Sequence, residues 1–292
     1  MRPTRTIVIG IVLSILASAC AGSSSGGRVR VFAALYPLSW AAEQVGGDRV
    51  YVQNLTPPGV EAHETTLTAA QRADIQTADV VVFLGDVGFQ PDVEHAIGDA
   101  RGKVVDVVSE LHIPVPPSGP FDPHIWLDPG YMERVVRILA RALSAADPSG
   151  RAGYEAREAA TVRQLAALDS AFRSGLRGCS FTSFVATHEA FGYLARAYGL
   201  HQIGIEGLAP ESEPSAASIQ AAAQAIRAGR AAPAVFYEST DEGRRIGESV
   251  AADIGVPALP LGTLESDPAP QDYLSVMRAD LASLEKGLRC NP

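Results

Sequence analysis

The sequence predicts an α/β protein of two lobes, each a four-stranded, mostly parallel sheet flanked by helices, joined by a long helix. Three observations lead there. Short apolar runs rich in β-branched residues alternate with helix-period segments, and the runs are continuously apolar, as strands covered on both faces require. The rhythm stops mid-chain, where two long helical segments follow one another, and then resumes. Finally, about 270 residues beyond an N-terminal leader exceed a comfortable single domain, and 47% hydrophobic residues supply material for a sizeable core.

The elements follow in order. "MRPTRTIVIGIVLSILASAC" opens with Arg2 and Arg5 before an apolar run from Ile7 to Ala19. That run falls short of the ~20 residues a bilayer span needs, so residues 1–19 predict a secretory signal. Small residues before Cys20 point to cleavage and lipidation at Cys20, with residues 20–27 a flexible tether. An N-terminal lobe, 28–148, then carries the strands "VRVFAAL", "VYVQNLTPP", "DVVVFLG" and "KVVDVV" (Lys103 to Val108), with helices between them. A Pro-rich connection leads into a helix with Met132, Val135, Val136, Leu139 and Leu143 on one face. "DPSG" breaks it, and residues 149–176 form the linking helix. The C-terminal lobe, 177–292, has strands "FTSFVATH", "HQIGIEG", "AVFYEST" and "VPALPLG", with helices starting near Ala190, Pro214, Asp241 and Pro270.

The formal charge is −9, and more negative still once Arg2 and Arg5 are removed. An acidic chain with no basic run argues against nucleic acid and anionic lipid as partners and accommodates a cationic ligand. With Cys20 assigned to lipidation, Cys179 and Cys290 remain, and two cysteines in an exported protein predict a disulfide.

The chemistry gathers where strands end. In "GPFDPHIWLDPG", Asp-Pro-His bars a helix, so His124 sits on a stiff bend between Asp122 and Asp128, with Trp126 to pack it down. His63 follows the second strand, His188 ends the first strand of the second lobe, and Glu265 follows the last strand. Ligands of open α/β sheets collect at the carboxyl ends of strands, and three imidazoles with one carboxylate suit zinc better than an all-oxygen cation. His95, His112 and His201 read as structural or solvated, with His112 the exception to watch.

Several pieces, "LTPPGVEAHETTLT", "DPHIWLDP", "THEAFGYLARAYGL", "GLAPESEPS", "VFYES" and "GVPALPLGTLES", span nearly the whole chain beyond the tether. On them the chain resembles the zinc- and manganese-binding lipoproteins of bacterial ABC importers, the cluster A-I substrate-binding proteins. The resemblance implies two α/β lobes bridged by a rigid helix, metal held between them by His63, His124, His188 and Glu265, and delivery to an importer permease in the membrane, the protein acting as a monomer outside the cytoplasm. Histidine at position 188, where manganese-type members carry glutamate, implies Zn2+ ahead of Mn2+ or Fe2+. Two departures stand out: Glu265 replaces the family's usual aspartate, leaving Asp267 as an alternative ligand, and the His-rich loop of many zinc members is missing. Asp122, Asp128 and Glu189 are candidates to hold the outer nitrogens of the ligating imidazoles, although Asp128 before Pro129 equally suits a helix cap.

Capture and delivery of zinc needs no reaction, and four protein ligands leave no open position for an activated water. A metal-dependent adhesin and, more remotely, a zinc hydrolase with Glu265 or Glu61 as general base are the competing readings.

Overall fold

A computed structural model describes residues 27–85, 87–118, 120–208 and 214–291; the signal, Cys20 and most of the tether lie outside them. The first sheet contains β1 (Val29–Ala33), β2 (Val50–Asn54), β3 (Val80–Phe83) and β4 (Lys103–Asp106), with helices α1 (Tyr36–Gly46), α2 (Ala69–Gln76) and α3 (Pro91–Ile97) between successive strands. Its order is β2-β1-β3-β4 and every pairing is parallel. All four residues of β3 are buried, as a central strand covered on both faces should be.

Val107 and Val108, expected to continue the fourth strand, instead open a short helix, α4 (Val107–Leu111). Asp106 ends the strand because its side chain accepts the Ser109 N–H, capping the new helix. The long helices α5 (Pro129–Ala146) and α6 (Arg151–Gly175) follow. Asp128 caps α5 through the Gly130 N–H at 2.8 Å, with Pro129 at the first helical position.

The second sheet repeats the first. Strands β5 (Ser183–Ala186), β6 (His201–Gly204), β7 (Val235–Glu238) and β8 (Ala258–Leu261) lie in the order β6-β5-β7-β8, again all parallel. Between and after them run α7 (Gly192–Ala197), α8 (Ala216–Arg227), α9 (Asp241–Ile254) and α10 (Tyr273–Gly287). The last helix begins at Tyr273 rather than Pro270, behind a capping box formed by Asp272 and Ser275. Helix α8 likewise begins behind Ser215, which accepts the Ser218 N–H. Cys179, before β5, is disulfide-bonded to Cys290, after α10.

Helix α6 packs on both halves. Arg157 donates to the carbonyls of Val45 and Gly46 at 2.6 and 2.8 Å, satisfying the open C-terminal end of α1. Farther along, Phe172 stacks on Tyr198 beside α7, and the Tyr198 hydroxyl donates to Asp169. One apolar cluster runs through both halves, from Phe32 and Leu38 through Leu139 and Leu165 to Phe236 and Leu284. A smaller cluster, including Val185, Ile226, Val235 and Val250, fills the far face of the second sheet.

Candidate metal centre

The loop after β2 brings His63 to the carboxyl edge of the first sheet on a single 3-10 turn, Ala62–Glu64. The turn is pinned from behind by Gln90. Its side-chain amide reaches the Ala34 carbonyl at the end of β1 (3.2 Å), the Thr56 hydroxyl (3.1 Å) and the Ala62 carbonyl (3.0 Å). Gln90 is buried, so these bonds are made without competing water.

His124 precedes a 3-10 turn, Ile125–Leu127, and is fully buried. Asp122 holds the bend: its Oδ1 accepts the His124 backbone N–H at 3.1 Å and lies 3.0 Å from Nδ1. Trp126 anchors it across the lobes, its indole N–H donating to the Thr263 carbonyl at 2.7 Å. Tyr273 at the start of α10 donates to the Trp126 carbonyl at 2.7 Å.

His188 follows β5 and is buried. Its Nδ1 lies 3.2 Å from Glu238 Oε2, and its Nε2 lies 3.1 Å from the Leu208 carbonyl. Glu238, the last residue of β7, is steadied by the Thr263 hydroxyl, which donates to its other oxygen. Glu265 is set by Leu264, a buried residue with φ +59°, a left-handed conformation that a leucine holds at an energetic cost. The resulting turn sends the Glu265 carboxylate into the cleft, where Oε1 lies 3.0 Å from His124 Nε2 and Oε2 accepts the Ala62 N–H at 3.2 Å.

Two donor triads result, and Glu265 belongs to both. His124, His188 and Glu265 offer ligand atoms within 4.8 Å of one another, and so do Glu61, His63 and Glu265. The four residues expected to bind metal are therefore drawn together through Glu265 rather than into a single equidistant set. Both ring nitrogens of His63 and one oxygen of Glu61 are buried without a hydrogen-bond partner among the described residues. Asp267 is exposed and turned to the Ala269 N–H, and belongs to neither triad. Asp128 caps α5, whereas Asp122 supports His124. Glu238, not Glu189, supports His188. His95, His112 and His201 are exposed.

Electrostatics follow from this crowding of acids and imidazoles in a dry cleft. Burial alone would lower the His124 pKa, but hydrogen bonds to Asp122 and Glu265 outweigh it and raise it to about 9. Burial likewise opposes ionisation of Glu265, yet the bond to His124 and the charges of the surrounding histidines hold its carboxyl well below the usual range. Glu61 is pushed well up, first by burial and then by the charges of Glu238 and Glu265. A cation entering this cleft replaces protons as the counter-charge.

Sequence reasoning passed over Glu238, Gln90 and, as a metal donor, Glu61. Glu238 had a usable signal, an acid closing the buried run "VFYE" at a strand's carboxyl end.

The family model described as "ZnuA: Zinc-uptake complex component A periplasmic" matches residues 31–287. The chain belongs to this family. Among curated proteins it is 28% identical over 305 residues to the zinc-binding lipoprotein AdcA of Streptococcus pneumoniae, aligning 96% of this chain with 60% of AdcA. It is 28% identical over 302 residues to the high-affinity zinc uptake system protein ZnuA of Bacillus subtilis, covering 94% of each. The chain thus spans only about 60% of the length of pneumococcal AdcA, and nearly all of the Bacillus relative. Among solved structures, the Zn(II)-bound ZnuA-like domain of S. pneumoniae AdcA superposes with a TM-score of 0.77 at 30% identity, covering 90% of this chain and 99% of that one. The periplasmic zinc-binding protein TroA of Treponema pallidum gives 0.79 at 25% identity, covering 90% and 99%.

Proposed function

We propose that the chain captures Zn2+ outside the cytoplasm and delivers it to an ABC-type importer, holding the ion between the lobes with His63, His124, His188 and Glu265. The observation that carries this reading is Glu265: one buried carboxylate, aimed by a strained turn, joins three imidazoles contributed by loops at the carboxyl ends of both sheets. The names of the relatives, zinc-binding lipoprotein and zinc uptake protein, support zinc as cargo. So does the donor set, since a nitrogen-rich shell favours zinc over manganese.

Two of the three ligating imidazoles have their outer nitrogen engaged, His124 by Asp122 and His188 by Glu238, which fixes those ring orientations before the ion arrives. His188 must give up the Leu208 carbonyl to offer Nε2. The role is that of a binding protein rather than an enzyme, working with a permease in the membrane and tethered there through Cys20. Among the described residues no helix is long and apolar enough to cross a membrane.

Metal analysis after zinc loading and dialysis tests the reading. One tightly held zinc in the wild type, weakened in His188→Ala and Glu265→Ala, is the expected result. No retained zinc in the wild type would overturn it.

A further inference from the structure

Two donor triads share one carboxylate but differ in access and in how their atoms are engaged. In the inner triad, His124 and His188 are buried and both of their ring nitrogens already have partners. In the outer one, His63 lines a cavity of about 410 Å³, walled by Phe89, Phe121, Pro123 and Leu208. The side chain of His63 is 6% exposed and that of Glu61 26%, so the outer triad lies nearer to water. Both His63 nitrogens and Glu61 Oε2 are buried without a hydrogen-bond partner among the described residues, His63 Nε2 and Glu61 Oε2 standing 3.7 Å apart, an arrangement that is costly unless a ligand satisfies it. Glu265 faces both ways, Oε1 toward His124 and Oε2 toward the Ala62 N–H, beside His63.

We propose that Glu61, His63 and Glu265 form an outer station that takes the incoming divalent cation first and passes it to His124 and His188 by way of the shared carboxylate. The inference rests on the zinc-binding reading above and adds a role for Glu61 to it. The entering dication displaces the Glu61 proton to solvent, so that two carboxylates neutralise it as it sheds water, and one imidazole begins the nitrogen shell that the inner triad completes. At the outer station the cation meets His63 and Glu61 Oε2 without first breaking a protein hydrogen bond, whereas the inner imidazoles must release Glu265 and Leu208.

Stopped-flow mixing with Zn2+, and with Co2+ whose visible spectrum reports its ligands, distinguishes the outcomes. The wild type should show a fast phase that scales with cation concentration and a slower one that does not. Glu61→Gln should lose the fast phase and associate about tenfold or more slowly, while still holding one zinc at equilibrium; Glu61→Asp should keep a fast phase. Glu206→Gln removes a half-buried carboxylate outside both triads and should associate as the wild type does. A wild-type fast phase in Glu61→Gln overturns the proposal, as does equal slowing in Glu206→Gln, which would make the effect one of general charge. Loss of zinc retention in the wild type would instead bring down the parent reading, and His124→Ala, which should lose retained zinc, tests that reading separately.

Discussion

Zinc binding between the lobes should expel protons, and His124 sets the minimum number. Its Nδ1 is held by Asp122, so a cation must take the lone pair of Nε2, which carries a proton at neutral pH because the pKa stands at about 9. Glu265, held well below the usual carboxylate range, has no proton to give. Free-zinc affinity should therefore rise by nearly one power of ten per pH unit below the pKa, roughly 50-fold or about 2.3 kcal/mol between pH 7 and pH 9. If His188, also raised, titrates in the same interval, the slope steepens. Competition with a chelator at fixed free zinc measures the slope. Calorimetry in buffers of different ionisation enthalpy counts the protons, and at least one per zinc is expected at pH 7. Equal affinity at pH 7 and pH 9, with no proton released, would refute the assignment of His124 Nε2 as a ligand.

Glu238→Gln removes the acceptor that orients His188 and should weaken zinc retention by about 10–100-fold with little change in folding, read by chelator competition. Asp280 is fully buried in α10, accepts the Gly262 N–H with one oxygen and leaves the other unpartnered, and burial raises its pKa to about 8. A carboxyl raised on folding contributes stability that is fully present below its unfolded pKa and is lost as pH climbs toward the folded one, here between about 4 and 8. Asp280→Asn should remove that loss and stabilise the protein at pH 8 by about 2–4 kcal/mol, measured by denaturant unfolding across pH. Replacing both Cys179 and Cys290 by serine opens a link across 111 residues and should cost about 3–5 kcal/mol, seen as a lower unfolding midpoint with one zinc still bound.

Much of the fold was legible because parallel strands buried on both faces leave continuous β-branched runs, of which "DVVVFLG" is the clearest. Where a polar side chain redirected the backbone, legibility failed: Val107 and Val108 look like strand, but Asp106 turns them into a helix. The bend at His124 could be anticipated from Asp-Pro-His, because proline acts locally. Its deeper supports could not. Trp126 meets Thr263 and Gln90 meets Ala62, pairings across 137 and 28 residues that no local pattern announces. Asp267 illustrates the same limit from the other side. It lies two positions beyond Glu265, yet the left-handed turn at Leu264 directs only Glu265 inward.

The apolar cluster that runs unbroken through both halves has a consequence for unloading. Prying the halves apart would expose Trp126, Tyr273 and other buried members of that cluster to water, at about 1.5–3 kcal/mol for each large apolar side chain. Release is better served by peeling loops from an intact body. The donors stand on loops at the carboxyl edges of the two sheets, and displacing the His63 turn, whose one buried residue is Ala62, uncovers far less of the core than moving the His124 bend with its buried Trp126. In the proposed role, a permease that gripped that edge would empty the site with a small motion.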